Sequence, residues 1–84
     1  MYYVYILHSE KDKKLYIGFT SNLKKRLIQH KNGEVNSTSK RLPVNLIYFE
    51  CYLKKQDAER NESYYKTSKG KEDLRKKLKS LLGP

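Results

Sequence analysis

The sequence is short of several residue types, and each shortage narrows what the protein can be. One of its 84 residues is cysteine, so no disulfide can form within the chain. None of its residues is tryptophan. No apolar run approaches the roughly 20 residues that a membrane-spanning helix needs. Acidic residues are scarce, since nine Asp and Glu stand against nineteen Lys and Arg. These shortages exclude a disulfide-stabilised scaffold and predict a small soluble protein.

The excess of basic residues predicts a polyanionic partner. The formal net charge is +10 at pH 7, and a small protein with this charge attracts nucleic acid or an anionic membrane surface. A membrane is the weaker interpretation, because no helical pattern combines a basic face with exposed Trp or Phe. Residues 1–7 lack a basic leader and a small-residue cleavage site, so we expect a first strand and a cytoplasmic location.

The first 19 residues predict a β-hairpin. Residues 2–8 are rich in aromatic and β-branched side chains, and residues 15–19 return as a second, antiparallel strand. Alternation places Tyr3, Tyr5 and Leu7 on one face and Tyr2, Val4, Ile6 and His8 on the other, with both faces largely covered. Tyr5 and Tyr16 then lie on neighbouring strands, and His8 is interpreted as structural. Gly18 within the second strand indicates either a close approach by another group or a simple bend.

A helix is predicted from about residue 22 to 31. Thr20, Ser21 and Asn22 supply side chains that accept hydrogen bonds at a helix start, and Asn32-Gly33 supplies a stop. Leu23 and Leu27 form its expected buried stripe, and Arg26 and His30 fall beside that stripe. An arginine at the edge of a core needs a partner for its planar guanidinium, which is either a carboxylate or a phosphate.

The middle of the chain predicts a loop followed by a strand. Residues 34–43 are polar and include Lys40 and Arg41, so they are interpreted as a mobile loop that is either a surface linker or a contact to phosphates. Residues 44–53 have the strongest strand pattern, and we expect this strand to be central in the sheet. Cys51 within it is expected to be a buried thiol without a role.

The last third of the chain predicts two helices. The first begins near Gln56, and its inward stripe is Ala58, Glu62 and Tyr65. An acid within an apolar stripe is either functional or one half of a structural salt bridge. Gly70 is expected to end this helix. The second helix is marked by Leu74, Leu78, Leu81 and Leu82 and is ended by Gly83-Pro84.

The element order β-β-α-β-α-α predicts an α/β fold, with a small three-stranded, mostly antiparallel sheet flanked by helices. We expect residues 1–84 to form one domain with a thin core, because a chain of this length buries only about 60–65% of its unfolded surface.

Two short motifs and a following arginine resemble the GIY-YIG nuclease superfamily. Tyr3-Val4-Tyr5 stands where the family has a tripeptide ending in tyrosine, Tyr16-Ile17-Gly18 matches the second motif, and Arg26 follows on a helix. The family's first motif begins with glycine, where this chain has Tyr3. Nearly the whole chain takes part, and it looks most like the short single-domain, YhbQ-like branch.

The resemblance implies an endonuclease that hydrolyses phosphodiester bonds in DNA, including branched, nicked or single-stranded forms. It implies that Tyr16, with Tyr5 beside it, acts as general base or positions the water, and that Arg26 holds the scissile phosphate. Glu62 would be the single carboxylate that holds one Mg²⁺ or Mn²⁺ ion. His30 would relay a proton or bind phosphate, and simple packing is the alternative.

Four basic residues are the predicted contacts to nucleic acid: Lys24, Lys25, Lys40 and Arg41. No attached zinc finger or helix-turn-helix indicates how a particular DNA site would be chosen. Two other classes of function stay open. One is a nucleic-acid-binding module of the same fold without turnover, and the other is a protein-interaction domain that binds an acidic partner.

Overall fold

The computed structural model describes residues 1–83 and contains the predicted order of strands and helices, with two additional short helices. In chain order its elements are β1 (Tyr2–Ser9), β2 (Leu15–Thr20), α1 (Leu23–Lys31), α2 (Asn36–Ser39), β3 (Val44–Tyr52), α3 (Lys55–Tyr65), α4 (Ser68–Lys77) and α5 (Lys79–Leu82). The α/β class and the three-stranded antiparallel sheet are confirmed. Within residues 1–83, no helix has both the length and the apolar composition needed to cross a membrane.

The central strand of the sheet is β1, which corrects the expectation that β3 is central. The strand order is β2-β1-β3, and both pairings are antiparallel. Residues 4–7 of β1 are at most 1% exposed, because helices cover both of its faces. The edge strand β3 leaves Leu46 and Phe49 exposed. A strong strand propensity therefore did not indicate a central position.

The two faces of the sheet are packed differently. On one face, Val4 and Ile6 of β1 join a buried cluster with Ala58, Tyr65 and Leu74 from α3 and α4. Neighbouring residues of a strand point to opposite faces, so Tyr5 lies on the other face, where it meets α1. The predicted alternation of residues 2–8 is confirmed.

Helix α1 has the predicted limits, although a different residue is its most buried one. Its N-cap is Asn22, whose side chain accepts a hydrogen bond from the Lys25 N–H, and its C-cap is Asn32. Leu23 and Leu27 are only half-buried, whereas His30 is 1% exposed. Because α1 lies at the edge of a narrow sheet face, the His30 side chain, which reaches the sheet, is the most buried side chain of the helix.

The segment 34–43 is folded onto the sheet, which corrects its interpretation as a loop. The segment contains α2, whose Thr38 is fully buried. The N-cap of α2 is Val35, which is also buried. Arg41 forms an ion pair with Asp12 at 2.8 Å. The polar composition of this segment concealed two residues that pack inward.

Helix α3 ends before Gly70, so the prediction that Gly70 ends this helix is wrong. Helix α3 ends at Tyr65, and Gly70 lies in the first turn of α4, where its N–H donates to Thr67 Oγ1 at 3.0 Å. A Cβ at Gly70 would overlap the backbone carbonyl of Tyr64. The glycine is therefore needed for close packing between two helices.

The predicted last helix is interrupted, and Cys51 is not buried. Leu78 separates α4 from α5 as the cap of both, and Leu81 in α5 is exposed. Pro84 lies outside the described residues. Cys51 is exposed because it lies on the edge strand β3, which corrects the expectation of a buried thiol.

A half-buried carboxylate connects the sheet to α3 and α4. Glu50 on β3 accepts hydrogen bonds from the phenols of three tyrosines, Tyr48, Tyr52 and Tyr65. Lys77 Nζ lies 3.5 Å from the same carboxylate. Although burial opposes the effect, the three phenol hydrogen bonds lower the pKa of Glu50. Alternation along β3 puts Tyr48 and Tyr52 on the face of Glu50, whereas no local pattern indicates the third donor, Tyr65 of α3.

We predict that Glu50 is a main determinant of stability. Glu50→Gln replaces one carboxylate oxygen by an amide group that cannot accept, so phenols that are partly buried lose their partner. The free energy of unfolding, measured by urea titration, should fall by about 2–4 kcal/mol. The exposed Glu72, paired only with Lys76, provides the control, and Glu72→Gln should change stability by less than about 0.5 kcal/mol. Equal effects of the two variants would contradict the role of Glu50.

Candidate active site

The candidate site lies where the β1–β2 hairpin meets α1. In the hairpin Tyr5 stands opposite Gly18, and Tyr16 stands opposite Leu7, so both phenols are on the same face. The rings of Tyr5 and Tyr16 are 6.2 Å apart between centroids. The His30 ring from α1 lies 5.6 Å from Tyr5 and 5.2 Å from Tyr16. Tyr5, Tyr16 and His30 form one contact group, here called the aromatic cluster.

Gly18 leaves the space in which the Tyr5 ring lies. A Cβ at Gly18 would overlap the end of that ring. Of the two interpretations of this glycine, the close approach is the one observed, and the approaching group is a side chain of the site itself.

A buried chain of hydrogen bonds runs from Tyr5 through His30 to Thr38. The Tyr5 hydroxyl lies 2.8 Å from His30 Nε2, and His30 Nδ1 lies 2.7 Å from Thr38 Oγ1. All three side chains are at most 1% exposed. A neutral imidazole has one donor and one acceptor nitrogen, so a donor at Nδ1 requires that the Tyr5 hydroxyl donates to Nε2. Thr38 had no specific role in the sequence analysis, and only its place three residues after Val35 could have indicated that it packs inward.

Burial keeps both ring partners of this chain neutral at physiological pH. Burial, and then the positive charge of Arg26, lowers the pKa of His30 to about 4. Burial raises the pKa of Tyr5 to about 12, against a smaller opposite effect of Arg26. Tyr5 therefore keeps its proton, and His30 does not gain one. Tyr5 and His30 are both at most 1% exposed, so the half-buried Tyr16 is the ring of the aromatic cluster that solvent can reach.

Arg26 adds a positive charge beside the aromatic cluster. Interaction with the Tyr5 phenol raises the pKa of Arg26 despite some desolvation. Its Nη1 donates to Gln29 Oε1 at 3.1 Å, and no carboxylate of residues 1–83 forms an ion pair with it. The groove around it has a volume of about 410 Å³ and is lined by Thr20, Ser21, Asn22, Lys25, Arg26 and Gln29. The guanidinium is half-buried, so it can meet an anion in this groove.

Glu62 lies on α3 and takes no part in the hydrogen bonds of Tyr5, His30 and Thr38 described above. Helix α3 covers the sheet face opposite to α1, and the Glu62 side chain is 22% exposed, with its carboxylate 3.1 Å from Lys66 Nζ. Within residues 1–83, no hydrogen bond or ion pair joins Glu62 to the aromatic cluster or to Arg26. Of the two interpretations of Glu62, the contact observed is the salt bridge, which it forms with Lys66.

The donor chemistry around Glu62 fits a weakly held divalent ion. A carboxylate oxygen is a hard ligand of the kind that Mg²⁺ binds, and a partly exposed salt bridge contributes little that would prevent its replacement. The described residues contain no group of three or more His, Cys, Asp or Glu arranged to hold a metal. An ion at Glu62 would therefore take most of its ligands from water and substrate.

The four residues predicted to bind nucleic acid differ in their surroundings. Lys24, Lys25 and Lys40 are exposed. Arg41 is half-buried, since it pairs with Asp12 and donates to the Leu15 carbonyl at 3.4 Å. The three lysines are free to contact a phosphate backbone, whereas Arg41 also holds segment 34–43 against the hairpin.

Comparison with known proteins shows which family the chain resembles. A family model described as the GIY-YIG catalytic domain matches residues 1–78. A UPF0213 protein of Clostridium perfringens is 48% identical over 67 residues, which cover 79% of this chain and 71% of that protein. A UPF0213 protein of Bacillus pumilus is 40% identical over 75 residues, covering 87% and 76%. The solution NMR structure of a UPF0213 protein from Bacillus halodurans covers 100% of this chain and 89% of that one, with a TM-score of 0.58 and 31% identity. The resemblance drawn from the two motifs is confirmed.

We predict that His30 makes stability depend on pH. The folded pKa is lowered to about 4, whereas an unfolded histidine has a pKa of about 6.5. Below pH 6.5 the unfolded chain binds a proton that the folded chain does not, so the contribution of His30 is fully present above pH 6.5 and is lost as the pH falls toward 4.

The test compares urea unfolding of the wild type and His30→Gln between pH 7 and pH 4. The stability difference between the two proteins should shrink by about 3 kcal/mol over this range. Other titrating groups are common to both proteins and cancel in the difference. A difference that stays constant would show that His30 binds protons equally well in the folded and unfolded chains.

Proposed function

Because the chain belongs to the GIY-YIG family, in its UPF0213 branch, we propose that it is an endonuclease that hydrolyses phosphodiester bonds in DNA. The observation that carries the proposal is that the half-buried Arg26 forms no ion pair with a carboxylate within residues 1–83 and lies beside the aromatic cluster. Hydrolysis needs a group that activates water, positive charge at the phosphate oxygens, and help for the departing 3′-oxygen. We take residues 1–84 to act as one nuclease domain.

Arg26 is the proposed phosphate ligand. The planar guanidinium matches two phosphate oxygens through paired N–H donors. Its charge is not neutralised by a carboxylate within residues 1–83, and the nearby Lys25 adds a second positive charge to the same groove. A phosphate in this groove would be held beside the aromatic cluster.

Tyr16 is the proposed general base or water-positioning group. Of the two tyrosines in the aromatic cluster, Tyr5 is fully buried, has its hydroxyl 2.8 Å from His30 Nε2 and keeps its proton, because burial raises its pKa to about 12. Tyr16 is half-buried, so it is the ring of the aromatic cluster that solvent can reach. Arg26 places its positive charge close to both phenols of the cluster. Tyr5 and His30 then orient Tyr16 through ring contacts and fix the floor of the site.

Glu62 is the residue proposed to hold one Mg²⁺ or Mn²⁺ ion. When bound, such an ion supplies positive charge to phosphate and leaving-group oxygens. The contribution of Glu62 is a single hard oxygen ligand that must exchange its contact with Lys66 for the ion. Lys24, Lys25 and Lys40 would follow the DNA backbone on either side.

A binding module without turnover is the alternative, and one observation favours it. Glu62 has no hydrogen bond or ion pair to the aromatic cluster or Arg26 among the described residues, and its carboxylate faces Lys66. A protein that binds DNA through its +10 charge would need neither Glu62 nor a metal. It should bind with a slope of about −0.9 in log K against log salt for each neutralised phosphate, and it should leave a plasmid intact at any Mg²⁺ concentration.

We predict that Tyr16→Phe separates chemistry from packing. The variant lacks only the hydroxyl, so it should fold and bind DNA as the wild type does, while cleavage falls by about 10²–10⁴-fold. The matched control is Tyr64→Phe, because Tyr64 is an exposed tyrosine on α3 that donates to Asp73. Cleavage by Tyr16→Phe at the wild-type rate would move the general base to metal-bound water.

The same assay tests the phosphate and metal ligands. Arg26→Ala should lower cleavage by at least about 10²-fold, the effect of losing one strong stabilising donor. Glu62→Gln should abolish the stimulation by Mg²⁺, and Glu59→Gln, at an exposed site on the same helix, should not. If both Arg26→Ala and Glu62→Gln cut normally in preparations free of contaminating nuclease, the assigned site is wrong.

A further inference from the structure

The sheet face that carries the aromatic cluster is only partly covered. Phe49 on β3 stands opposite Tyr5 in the register, yet it is 49% exposed. Its ring lies 6.2 Å from the ring of Tyr3, with the two planes at 60°. Helix α1 contacts β3 but leaves about half of Phe49 uncovered, so this aromatic ring remains open to solvent beside the site.

These rings form one wall of a groove that adjoins the groove of Arg26. The first groove has a volume of about 500 Å³ and is lined by Tyr3, Phe49, Leu23, Leu27 and Lys24, together with Ser21 and Asn22. Ser21 and Asn22 also line the groove around Arg26. An extended ligand can therefore place a phosphate at Arg26 and the adjoining planar group against Phe49. The volume lies within the range of about 300–1,000 Å³ that is usual for ligand pockets.

The charge of the surroundings identifies the class of ligand. Lys24 lines the aromatic groove, Lys25 and Arg26 line the next one, and the first turn of α1 contains no acidic residue. Aromatic rings flanked by positive charge are the combination that binds single-stranded nucleic acid, because each unpaired base presents a face for stacking while its phosphates meet the cations. A second copy of this chain is a poorer occupant, since it would bring the same cations and another net charge of +10.

A continuous duplex cannot use this groove in the same way. Its bases are stacked on one another, so no base face is available to Phe49 unless a nucleotide is flipped out, which costs the free energy of unstacking and unpairing that base. A nucleotide in a flap, a gap or a single-stranded end has no such cost. The aromatic groove thus favours DNA that has an unpaired nucleotide next to the bound phosphate.

We propose that the groove of Tyr3 and Phe49 binds one unpaired base of the strand whose phosphate Arg26 holds, so that the substrate is DNA with a single-stranded segment. The inference rests on the proposed placement of a phosphate at Arg26, and it deepens the proposed function by naming the substrate class. Phe49 supplies stacking and Lys24 supplies charge, and the two contributions have different experimental signatures.

The test measures binding without cleavage, by fluorescence anisotropy in EDTA, for a flapped and a fully paired DNA of equal length. Phe49→Ala should weaken binding of the flap by about 5- to 100-fold, the effect of losing one stacked base, and should leave duplex binding unchanged. Since no phosphate contact is lost, the salt slope should not change. Lys24→Gln should weaken both DNAs alike and reduce the slope by about 1.

Control variants distinguish stacking from loss of fold. Phe49→Tyr keeps a ring and should retain the preference for the flap, whereas Phe49→Leu keeps apolar bulk and should lose it. Leu46→Ala, at another exposed apolar residue of β3, should have no effect. A 2-aminopurine in the flap should be quenched by the wild type and not by Phe49→Leu.

The outcomes separate this inference from the proposed nuclease activity. A flap preference that depends on Phe49, in a protein that cuts no DNA, supports the groove and contradicts the nuclease. Cleavage of flap and duplex at equal rates, unaffected by Phe49→Ala, contradicts the groove and supports the nuclease. A wild type that is dimeric by light scattering and becomes monomeric in Phe49→Ala would assign the groove to self-association and overturn the inference.

Discussion

The hydrogen bond between the Tyr5 hydroxyl and His30 Nε2 is the contact on which the site depends. Two polar groups at most 1% exposed would each cost free energy if left unpaired, so their mutual bond fixes the distance between β1 and α1. The second nitrogen of His30 needs its own partner, and Thr38 provides it. A single buried imidazole thereby brings together the central strand, the first helix and the folded segment 34–43. The orientation of α1, and with it the position of Arg26, follows from this pairing.

The same buried group determines the electrostatics of the site. Desolvation and the charge of Arg26 keep His30 neutral, with its pKa lowered to about 4. The neutral Tyr5 and His30 side chains neither repel the guanidinium of Arg26 nor neutralise it. Its positive charge therefore stays available in the groove. A carboxylate in the position of His30 would form an ion pair with Arg26 and would compete with a phosphate. The neutral cluster is consistent with a site whose charge is reserved for an anionic ligand.

Local patterns predicted the parts of the fold that depend on neighbouring residues. The alternation in residues 2–8 and the cap at Asn22 were correct, because strand faces and helix starts are determined within a few residues. The central position assigned to β3 and the loop assigned to 34–43 were wrong, because each depends on partners distant in the sequence. Thr38 is buried against His30, which lies on a different helix. Strand alternation places Tyr48 and Tyr52 on the face of Glu50, but no local pattern indicates that Tyr65 of α3 joins them.

The two faces of the sheet are packed differently, and the proposed binding site lies on the less completely covered face. One face is covered by α3 and α4 and is secured by Glu50, whose carboxylate accepts from three phenols. The other face carries features that do not favour stability: a glycine within β2, a buried histidine, and Phe49 half exposed at the sheet edge. A chain of this size has one thin core, so a face left partly open must be balanced by tight packing opposite. The incomplete cover over Phe49 leaves its ring open to solvent in the groove next to that of Arg26.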